Sequence, residues 1–241
     1  MDIKEPFLSV IVPVFNESGR IHNASAISDY LYRQDFSSEL IIVDDGSTDN
    51  TVNILENISN NPNRRIISYE PNRGKGHAIK VGMLASEGKF RLFTDVDLST
   101  PIDEFKKFLP YLNEYDIIIA SRKVEGASLA RRQSLVRESL GRGFTYLSQK
   151  VLQVKVSDFT CGFKCFSKLA ADAVFPRMTV DRWGFDSEIL YIAKKHGLSV
   201  KEIPVTWEND PRTKVRFPHD LIRSFRDLLE IRYNDLNKNY D

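Results

Sequence analysis

Cysteine is scarce in this chain of 241 residues, which contains two. Cys161 and Cys165 lack the second pair of cysteines or histidines that a structural zinc site requires, which argues against such a site. So low a cysteine content is typical of a reducing compartment, where disulfides do not persist. We therefore interpret both cysteines as strand residues rather than as a redox pair.

Excess charge and long apolar runs are also missing. The formal net charge is +1, and no ladder of basic and aromatic residues is present, so we expect no nucleic-acid partner. No segment has the apolar length that crosses a bilayer, and residues 1–6 are too short and acidic for a signal peptide. We expect a protein that is soluble or peripheral to a membrane.

Apolar runs alternate with segments of helical periodicity along the whole chain. This order is typical of an α/β fold, here a mainly parallel sheet with helices on both faces. No linker composition interrupts it, so we predict one domain over residues 1–241, with a first half at about 7–121 and a second half at about 122–241. The predicted strands cover residues 7–12, 40–43, 65–69, 90–94, 117–120, 160–166 and 200–207, and the predicted helices cover 17–33, 49–59, 75–86, 101–112, 131–152, 185–195 and 220–233.

Two carboxylates follow the strand predicted at residues 90–94, in the sequence Asp95-Val96-Asp97. Ligands of open α/β sheets bind where strands end, and carboxylates there can share a divalent cation that also binds substrate phosphates. The alternative is an ordinary turn into a helix, but the helix-start pattern at residues 100–104 does not require Asp95 or Asp97. The pair therefore marks a candidate metal site.

Three further turns are expected near the same edge of the sheet. Pro13 removes a ladder donor and predicts the end of the first strand, after which Glu17 either caps a helix or reaches a ligand. Residues 44–47 (Asp-Asp-Gly-Ser) suit a tight turn or hydrogen bonds to a base or ribose. Residues 72–76 (Asn-Arg-Gly-Lys-Gly) precede a helix whose N-terminus favours anions, although the spacing is not that of a P-loop and a solvated lysine is the alternative. Together the turns predict a nucleotide-diphosphate pocket.

Eight ordered segments carry a resemblance to a known family: LSVIVPVFNE (8–17), IIVDDGSTDNT (41–51), NRGKGHAIKVGM (72–83), TDVDLSTP (94–101), ASRK (120–123), SDFTCGFKCFSK (157–168), RWGFDSEILYIA (182–193) and IPVTWENDPRTKVR (203–216). The chain resembles the family 2 glycosyltransferases with the GT-A fold, and within them the branch of dolichyl-phosphate glucosyltransferases and dolichyl-phosphate mannose synthases. The resemblance runs from Leu8 to about Arg232. Its GKG, TCGFK and RWGFDSE segments are more similar to the glucosyl members than to the mannosyl members.

The resemblance implies a nucleotide-sugar donor, a polyprenyl-phosphate acceptor such as dolichyl phosphate, and Mg²⁺ or Mn²⁺ as cofactor. It assigns Asp95 and Asp97 to the metal and the donor diphosphate, with Val96 between them. Asp158 either orients a basic residue or contacts the acceptor. The implied nucleoside positions are Pro13, Phe15, Glu17, Asp44 and Asp45, and the implied phosphate positions are Lys75, Arg122, Arg212 and Lys214.

The implied reaction needs no strong base. A lipid phosphate is ionised near pH 7, with a second pKa near ~6 by analogy with phosphoserine, and in-line attack predicts inversion to a β-linked product. A metal at Asp97 and cationic side chains would stabilise the leaving diphosphate. Relatives with hydroxyl acceptors often place a catalytic group near Asp186 and Glu188, of which only one is expected to face the site because residues two apart do not share a helix face. The alternative is a pair of carboxylates favoured by the helix dipole.

Two predicted helices are candidates for contact with the membrane that contains such an acceptor. The helix at 131–152 carries Arg131 and Arg132, and we interpret it as contacting the acceptor; for the helix at 220–233 we favour an ordinary core-facing role. Members of the branch often carry membrane helices, so a membrane-anchoring partner subunit is a further hypothesis, with the cytoplasmic face of a membrane as the expected location. The apolar residues are Leu135, Val136, Leu140, Phe144, Leu147 and Val151 in the first helix, and Leu221, Ile222, Phe225, Leu228 and Leu229 in the second.

Two other functions stay open. The same donor could serve a hydroxyl acceptor in cell-surface glycan or protein glycosylation, which a usable base at Asp186 or Glu188 would favour. A nucleotidyltransferase also combines an α/β sheet with metal-binding carboxylates, but it would release pyrophosphate rather than a nucleoside diphosphate. The glucosyl-like segments favour UDP-glucose over GDP-mannose, although no single residue identifies the sugar.

Overall fold

The computed structural model describes residues 5–57, 63–131, 135–208, 210 and 219–241. The strands are β1 (Leu8–Val14), β2 (Ser38–Asp44), β3 (Arg64–Ser68), β4 (Phe90–Thr94), β5 (Ile117–Ser121), β6 (Ser128–Arg131), β7 (Phe163–Ser167), β8 (Val200–Pro204) and β9 (Thr206–Glu208). The α-helices are α1 (Asn23–Tyr32), α2 (Thr51–Asn57), α3 (Lys75–Ala85), α4 (Leu135–Leu152), α5 (Lys168–Val174), α6 (Phe185–Lys195) and α7 (His219–Leu236). Short 3₁₀ helices cover Ile102–Lys107, Leu109–Tyr111 and Phe175–Arg177.

Seven strands form one sheet in the order β3-β2-β1-β4-β7-β5-β8. All neighbours are parallel except β7, which runs antiparallel to both β4 and β5. The expected α/β fold with a mainly parallel sheet is confirmed. Because β7 and β8 come from the second half of the chain, the two halves share the sheet. A separate parallel pair joins β6 to β9.

Both faces of the sheet are buried, as a parallel sheet covered by helices requires. Successive residues of a strand point to opposite faces, so Ile11 belongs to the core that includes residues of α3 to α7, while Val10 and Val12 belong to the core that includes α1 and the 3₁₀ helix Ile102–Lys107. The strands therefore contribute side chains to two cores, one on each face of the sheet. This burial anchors the strand ends and fixes the positions of the turns that follow them.

Two local predictions were wrong for identifiable reasons. Pro13 does not end β1, because pairing with β4 stops at Ile11 and the missing N–H of Pro13 removes no bond on that side. The strand continues to Val14. The helix predicted at 101–112 is instead two 3₁₀ helices, and Pro110 lies in the second, where an α-helix would lose a hydrogen bond.

The two amphipathic helices pack on the core and on each other. Phe144 of α4 meets Phe225 of α7 edge to face, with ring centroids 5.8 Å apart. The core-facing interpretation of α7 holds for Leu228, which is buried, but Leu229 is 68% exposed. In α4, Leu147 also reaches the surface. Among the described residues, no helix combines the length and apolar composition that a membrane crossing demands.

Candidate active site

The predicted site residues of the first half gather at the carboxyl ends of neighbouring strands. The chain leaves β1 towards Glu17, β2 towards Asp45, β4 towards Asp95 and β5 towards Arg122. Since these four strands run in the same direction in one sheet, the turns after them lie at one edge, where open α/β sheets bind ligands. The fold thus brings together residues that are more than a hundred positions apart in the sequence.

Glu17 is held by an arginine that was not predicted. Its carboxylate accepts hydrogen bonds from Arg20 Nε and from Arg20 Nη2, the latter at 3.0 Å, and Arg20 also donates to Asp210 at 3.1 Å. Both Glu17 and Arg20 are largely buried. The Glu17 carboxylate raises the pKa of Arg20, against the effect of burial. The turn after β1 is therefore fixed, which explains why α1 starts at Asn23 rather than at residue 17.

Asp44 and Asp45 are buried at the end of β2 and organise two loops. Asp44 accepts a hydrogen bond from the backbone N–H of Ser47 at 3.2 Å, closing the turn. Asp45 accepts three, from Asn72 Nδ2 at 2.6 Å and from the N–H groups of Arg73 and Gly74 at 2.8 Å each. The predicted nucleoside residue Asp45 thus ties the loop at 72–76 to the sheet edge. Pro13 and Phe15 lie half-buried beside this region.

The two glycines of the 72–76 loop permit close packing against the segment before α6. Gly74 has φ +116°, and a Cβ there would lie 2.6 Å from the Asp181 carbonyl oxygen. A Cβ at Gly76 would lie 2.6 Å from the Val180 carbonyl oxygen. Larger residues would push the loop away. Lys75, between the glycines, is thereby directed into the site.

Lys75 and the two aspartates form the centre of the site. Lys75 Nζ lies 2.5 Å from Asp95 Oδ1. Although burial lowers it, the pKa of Lys75 is raised because Asp95 and Asp186 lie close. The pKa of Asp97 is also raised, because its carboxylate is partly withdrawn from water and stands next to the negative charge of Asp95. Val96 between them is buried, and its carbonyl accepts a bond from Asn23 Nδ2 at 3.0 Å.

This donor set fits a divalent cation of the Mg²⁺ type. Such ions are held by one or two protein carboxylates together with substrate phosphates and waters, and Asp95 and Asp97 supply that number. Within the described ranges, no group of three or more His, Cys, Asp or Glu side chains is arranged for a metal. The unfavourable proximity of the two carboxylates is what a bound cation would relieve.

Arg122 and Asp158 form a further ion pair, in which Arg122 is partly exposed. Arg122 donates from Nε and Nη2 to the two carboxylate oxygens of Asp158, each at 2.7 Å, and its guanidinium lies 5.3 Å from the centre of the Trp207 ring. Asp158 is fully buried. Burial raises the pKa of Asp158, but the Arg122 guanidinium lowers it by more, and the resulting pKa is about 2. Of its two predicted roles, Asp158 is placed to orient a basic residue.

Asp186 and Glu188 have different surroundings, as expected for residues two apart on a helix. Asp186 is bonded to the ammonium of Lys164, which is fully buried. Glu188 accepts from the N–H of Thr179 at 2.9 Å and from its Oγ1 at 2.5 Å, from the N–H of Val180 at 2.9 Å and from Tyr240 OH at 2.7 Å. Burial raises the pKa of both carboxyls. Asp186 therefore lies on the side of Lys75, whereas Glu188 holds the segment before α6 to the C-terminus.

Some of the predicted site residues lie outside the described part of the chain. Arg132, Arg212 and Lys214 are not among the described residues, and Arg131 is described only as a backbone position at the end of β6, paired with Glu208. Sequence reasoning in turn missed Arg20 and Lys164. Lys164 did leave a signal, since a charged residue interrupts the apolar strand Phe163–Ser167. Arg20 left none, because an arginine in a predicted helix is ordinary.

Comparison with known proteins identifies the class. The family model of glycosyl transferase family 2 matches residues 9–175, and the chain belongs to this family. A dolichyl-phosphate beta-glucosyltransferase of Trichomonas vaginalis is 37% identical, over 94% of this chain and 71% of that protein. Proteins of the same name from Dictyostelium discoideum and Homo sapiens are each 34% identical, over 95% and 93% of this chain and 75% and 74% of theirs.

Solved structures agree on the fold. Glucosyl-3-phosphoglycerate synthase of Mycobacterium tuberculosis, in a structure with Mn²⁺, UDP and glucosyl-3-phosphoglycerate, superposes with a TM-score of 0.67 at 20% identity, over 94% of this chain and 80% of that one. Mannosyl-3-phosphoglycerate synthase from Rubrobacter xylanophilus gives 0.70 at 16% identity, over 97% and 74%. The GT-A fold expected from the sequence is confirmed, and the chain is a glycosyltransferase.

Proposed function

We propose that the chain transfers glucose from UDP-glucose to dolichyl phosphate or a related polyprenyl phosphate, with inversion, to give a β-linked lipid-phosphate sugar. The names of the similar proteins support this acceptor and this sugar. GDP-mannose is the alternative donor. Membership of a glycosyltransferase family favours this reaction over nucleotidyl transfer.

One observation carries the choice of a phosphate acceptor: both carboxylates at the position of a catalytic base are engaged. Asp186 is paired with Lys164, and Glu188 accepts four hydrogen bonds. A hydroxyl acceptor needs a carboxylate that can take its proton. A phosphate monoester is already ionised near neutral pH, so it can attack the anomeric carbon while both carboxylates keep their present partners.

The remaining residues have roles that follow from their positions. Asp95 and Asp97 would hold Mg²⁺ or Mn²⁺, which supplies charge stabilisation for the leaving diphosphate when bound. Lys75 and Arg122 bring two cations to the same edge, and such preorganised charges stabilise the developing anion. The turn residues Pro13, Phe15, Glu17, Asp44 and Asp45 would line the nucleoside pocket. The roles of Arg131 and Arg132 at the acceptor and of Arg212 and Lys214 near the phosphates rest on the sequence alone.

The acceptor also determines where the enzyme works. A polyprenyl phosphate is held in a membrane by its lipid chain, so we propose that the enzyme acts as a peripheral protein on the cytoplasmic face of a membrane. A membrane-anchoring partner subunit would be one way to retain it there. Co-sedimentation with vesicles containing dolichyl phosphate, with and without UDP-glucose, measures how much of this association the chain provides by itself.

The first experiment is a donor and acceptor screen. UDP-glucose and GDP-mannose are each incubated with Mg²⁺ or Mn²⁺ and with either a short polyprenyl phosphate or the corresponding polyprenol as hydroxyl acceptor. Both the released nucleoside diphosphate and the glycolipid are measured. We expect glycolipid from UDP-glucose. Glycolipid from GDP-mannose alone would keep the reaction and change the sugar. Release of nucleoside diphosphate only with a hydroxyl acceptor would contradict the proposal.

Gly162 leaves the space that the Asp95 carboxylate occupies, so a substitution there tests the proposed metal site. A Cβ at Gly162 would overlap Asp95 Oδ2, so Gly162→Ala should displace that carboxylate. Disturbing the support of a metal ligand typically weakens metal binding by about 10- to 100-fold, and we expect the half-saturating Mg²⁺ concentration to rise by about tenfold. Gly141→Ala in α4 is the control, since a Cβ there has nothing within 4 Å. Equal metal titrations for the two variants would contradict the role of Asp95.

Glu188→Gln distinguishes the hypothesis of a phosphate acceptor from that of a hydroxyl acceptor. The amide keeps the size of the side chain but turns an NH₂ group towards N–H or O–H donors, so we expect a loss of about 2 to 3 kcal/mol in the free energy of unfolding. Turnover per folded molecule should stay within about twofold of wild type, because Glu188 takes no proton in the reaction. Urea unfolding and initial rates at low temperature measure the two effects. A large fall in rate with stability unchanged would instead identify Glu188 as the base of a hydroxyl-acceptor enzyme.

A further inference from the structure

Lys164 is a charged residue at the centre of the sheet. It lies on β7, between Phe93 of β4 and Ile119 of β5, and its side chain is completely buried. Removing an ammonium group from water is costly unless it is paired and hydrogen-bonded. Its neighbour on the same face, Phe166, is an ordinary core residue. An apolar side chain would therefore pack at this position at a lower free-energy cost, so packing alone does not account for a lysine here.

Three groups surround the Lys164 ammonium in the described part of the chain. It donates to Asp186 and to the carbonyl oxygen of Cys161 at 2.7 Å, and it lies 5.4 Å from the centre of the Phe93 ring. Asp186, on the first turn of α6, is therefore held in place by a lysine of strand β7. A sheet strand paired on both sides is among the least mobile parts of a fold.

Asp186 connects this pair to the site. The Lys75 ammonium is paired with Asp95 and lies 5.7 Å from the centre of the Trp183 ring and 6.0 Å from that of Phe185. Because Phe185 directly precedes Asp186, the Asp186 charge is near enough to act on Lys75. Three carboxylates (Asp95, Asp97, Asp186) and two ammonium groups (Lys75, Lys164) thus form one charged cluster, in which Lys75 is paired with Asp95 and Lys164 with Asp186. A divalent cation on Asp95 and Asp97 would compete with Lys75 for Asp95. Lys75 then needs another counter-charge to stay in the site.

We propose that Lys164 is a positioning residue: it fixes Asp186 as the counter-charge that keeps the Lys75 ammonium in the pocket of the donor diphosphate. The inference rests on the proposed function, since it takes the ligand of Lys75 to be a nucleoside diphosphate. It also gives Asp186 a role other than proton transfer. Lys164 touches neither donor nor acceptor and acts through Asp186 and Lys75.

The test replaces the pair by neutral residues of similar size. Lys164→Met alone would leave a buried, unpaired carboxylate and could unfold the protein, whereas Lys164→Met with Asp186→Asn buries no charge. The probe is UDP or GDP, whichever the wild type binds, titrated by calorimetry in the presence of Mg²⁺. We expect the neutral pair to fold with a melting temperature close to that of wild type and to raise Kd by about tenfold, a coupling within the range for contacting residues.

Coupling to Lys75 distinguishes positioning from packing. Lys75→Met should weaken nucleotide binding at least as much, and the triple variant should bind no more weakly than Lys75→Met alone, because Lys164 and Asp186 act only through Lys75. Lys164→Gln with Asp186→Asn, a second neutral pair in case the first unfolds, should show the same dependence, since the glutamine amide can still donate to the carbonyl oxygen of Cys161. Lys164→Arg, which keeps the charge, should stay within about threefold of wild type.

Two results would overturn the inference. A neutral pair that binds nucleotide as tightly as wild type, or more tightly, would reduce Lys164 and Asp186 to a packing role. Losses that multiply in the triple variant would show that they act without Lys75. Since the acceptor takes no part in nucleotide binding, failure of glucose transfer to dolichyl phosphate would count against the proposed function and leave this test intact.

Discussion

Asp97→Asn is expected to lower turnover by about 10²- to 10³-fold, the cost of removing one preorganised electrostatic group from an active site, while the protein folds normally. The substitution keeps the hydrogen bond that Asp97 accepts from the N–H of Ser99 at 2.9 Å, since the amide oxygen can replace the carboxylate oxygen. It removes the negative charge that, with Asp95, would hold the cation. We also expect a slightly higher free energy of unfolding in the absence of metal, because the partial burial of the charge and the repulsion by Asp95, which raise the pKa of Asp97, are relieved.

Asp103→Asn is the matched control for this experiment. Asp103 lies a few residues further on, on the surface, and is paired with Lys106 at 3.2 Å with both side chains more than half exposed. Exposed pairs of this kind contribute little, so its rate and Mg²⁺ dependence should equal those of wild type. The two variants are compared by rate against Mg²⁺ concentration and by thermal unfolding. Turnover by Asp97→Asn at the wild-type rate and with the wild-type metal dependence would exclude Asp97 as a ligand.

The position of the site could be predicted from the sequence because its markers are local. Asp95 and Asp97 follow an apolar run that is confirmed as β4, Phe90–Thr94, without a change of boundary. The alternation of strands and helices predicted a parallel sheet, and in such a sheet the turns after strands meet at one edge. Neither step requires knowledge of which residues touch. The strand β6 and the helix α5 were not predicted, because they have only four and seven residues.

The pairings could not be predicted, because they join residues that are distant in the sequence. Arg20 reaches Asp210, and Lys164 reaches Asp186. Each pairing depends on how strands and helices pack, and the residue types alone permit many others. For the same reason the sequence could not distinguish Asp186 from Glu188: both are carboxylates at the start of one helix, and only their partners differ. Pro13 shows the converse, a local rule that failed because β1 is paired on one side only at that position.

Arg122→Ala is expected to have the second large effect, on stability as well as on rate. Removing the guanidinium leaves Asp158 fully buried without its partner, and breaking such a pair typically costs about 3 to 5 kcal/mol. The rate should fall by about 100-fold, because a cation at the edge of the proposed phosphate pocket is lost. Arg122→Lys should have a rate and a stability between those of Arg122→Ala and wild type, since an ammonium keeps the charge but cannot form the two parallel hydrogen bonds. A wild-type rate for Arg122→Ala, measured per folded molecule, would remove Arg122 from the site.

The same pair predicts how stability depends on pH. The pKa of Asp158 is lowered from 3.8 to about 2 in the folded protein. A lowered pKa stabilises the fold above the unfolded value and loses that contribution as pH falls through the folded value, so the loss occurs between about pH 4 and pH 2. At 1.36 kcal/mol per pKa unit, the contribution is about 2 kcal/mol.

Asp158→Asn measures this contribution directly. The variant should be less stable than wild type at pH 7, because Arg122 loses its counter-charge, and the difference should shrink by about 2 kcal/mol between pH 4 and pH 2 as the wild-type carboxylate is protonated. Urea unfolding of both proteins at several pH values in that range gives the two curves. Parallel curves would mean that Asp158 titrates as it does in the unfolded chain, and the Arg122–Asp158 pair would then not hold the guanidinium in a fixed position.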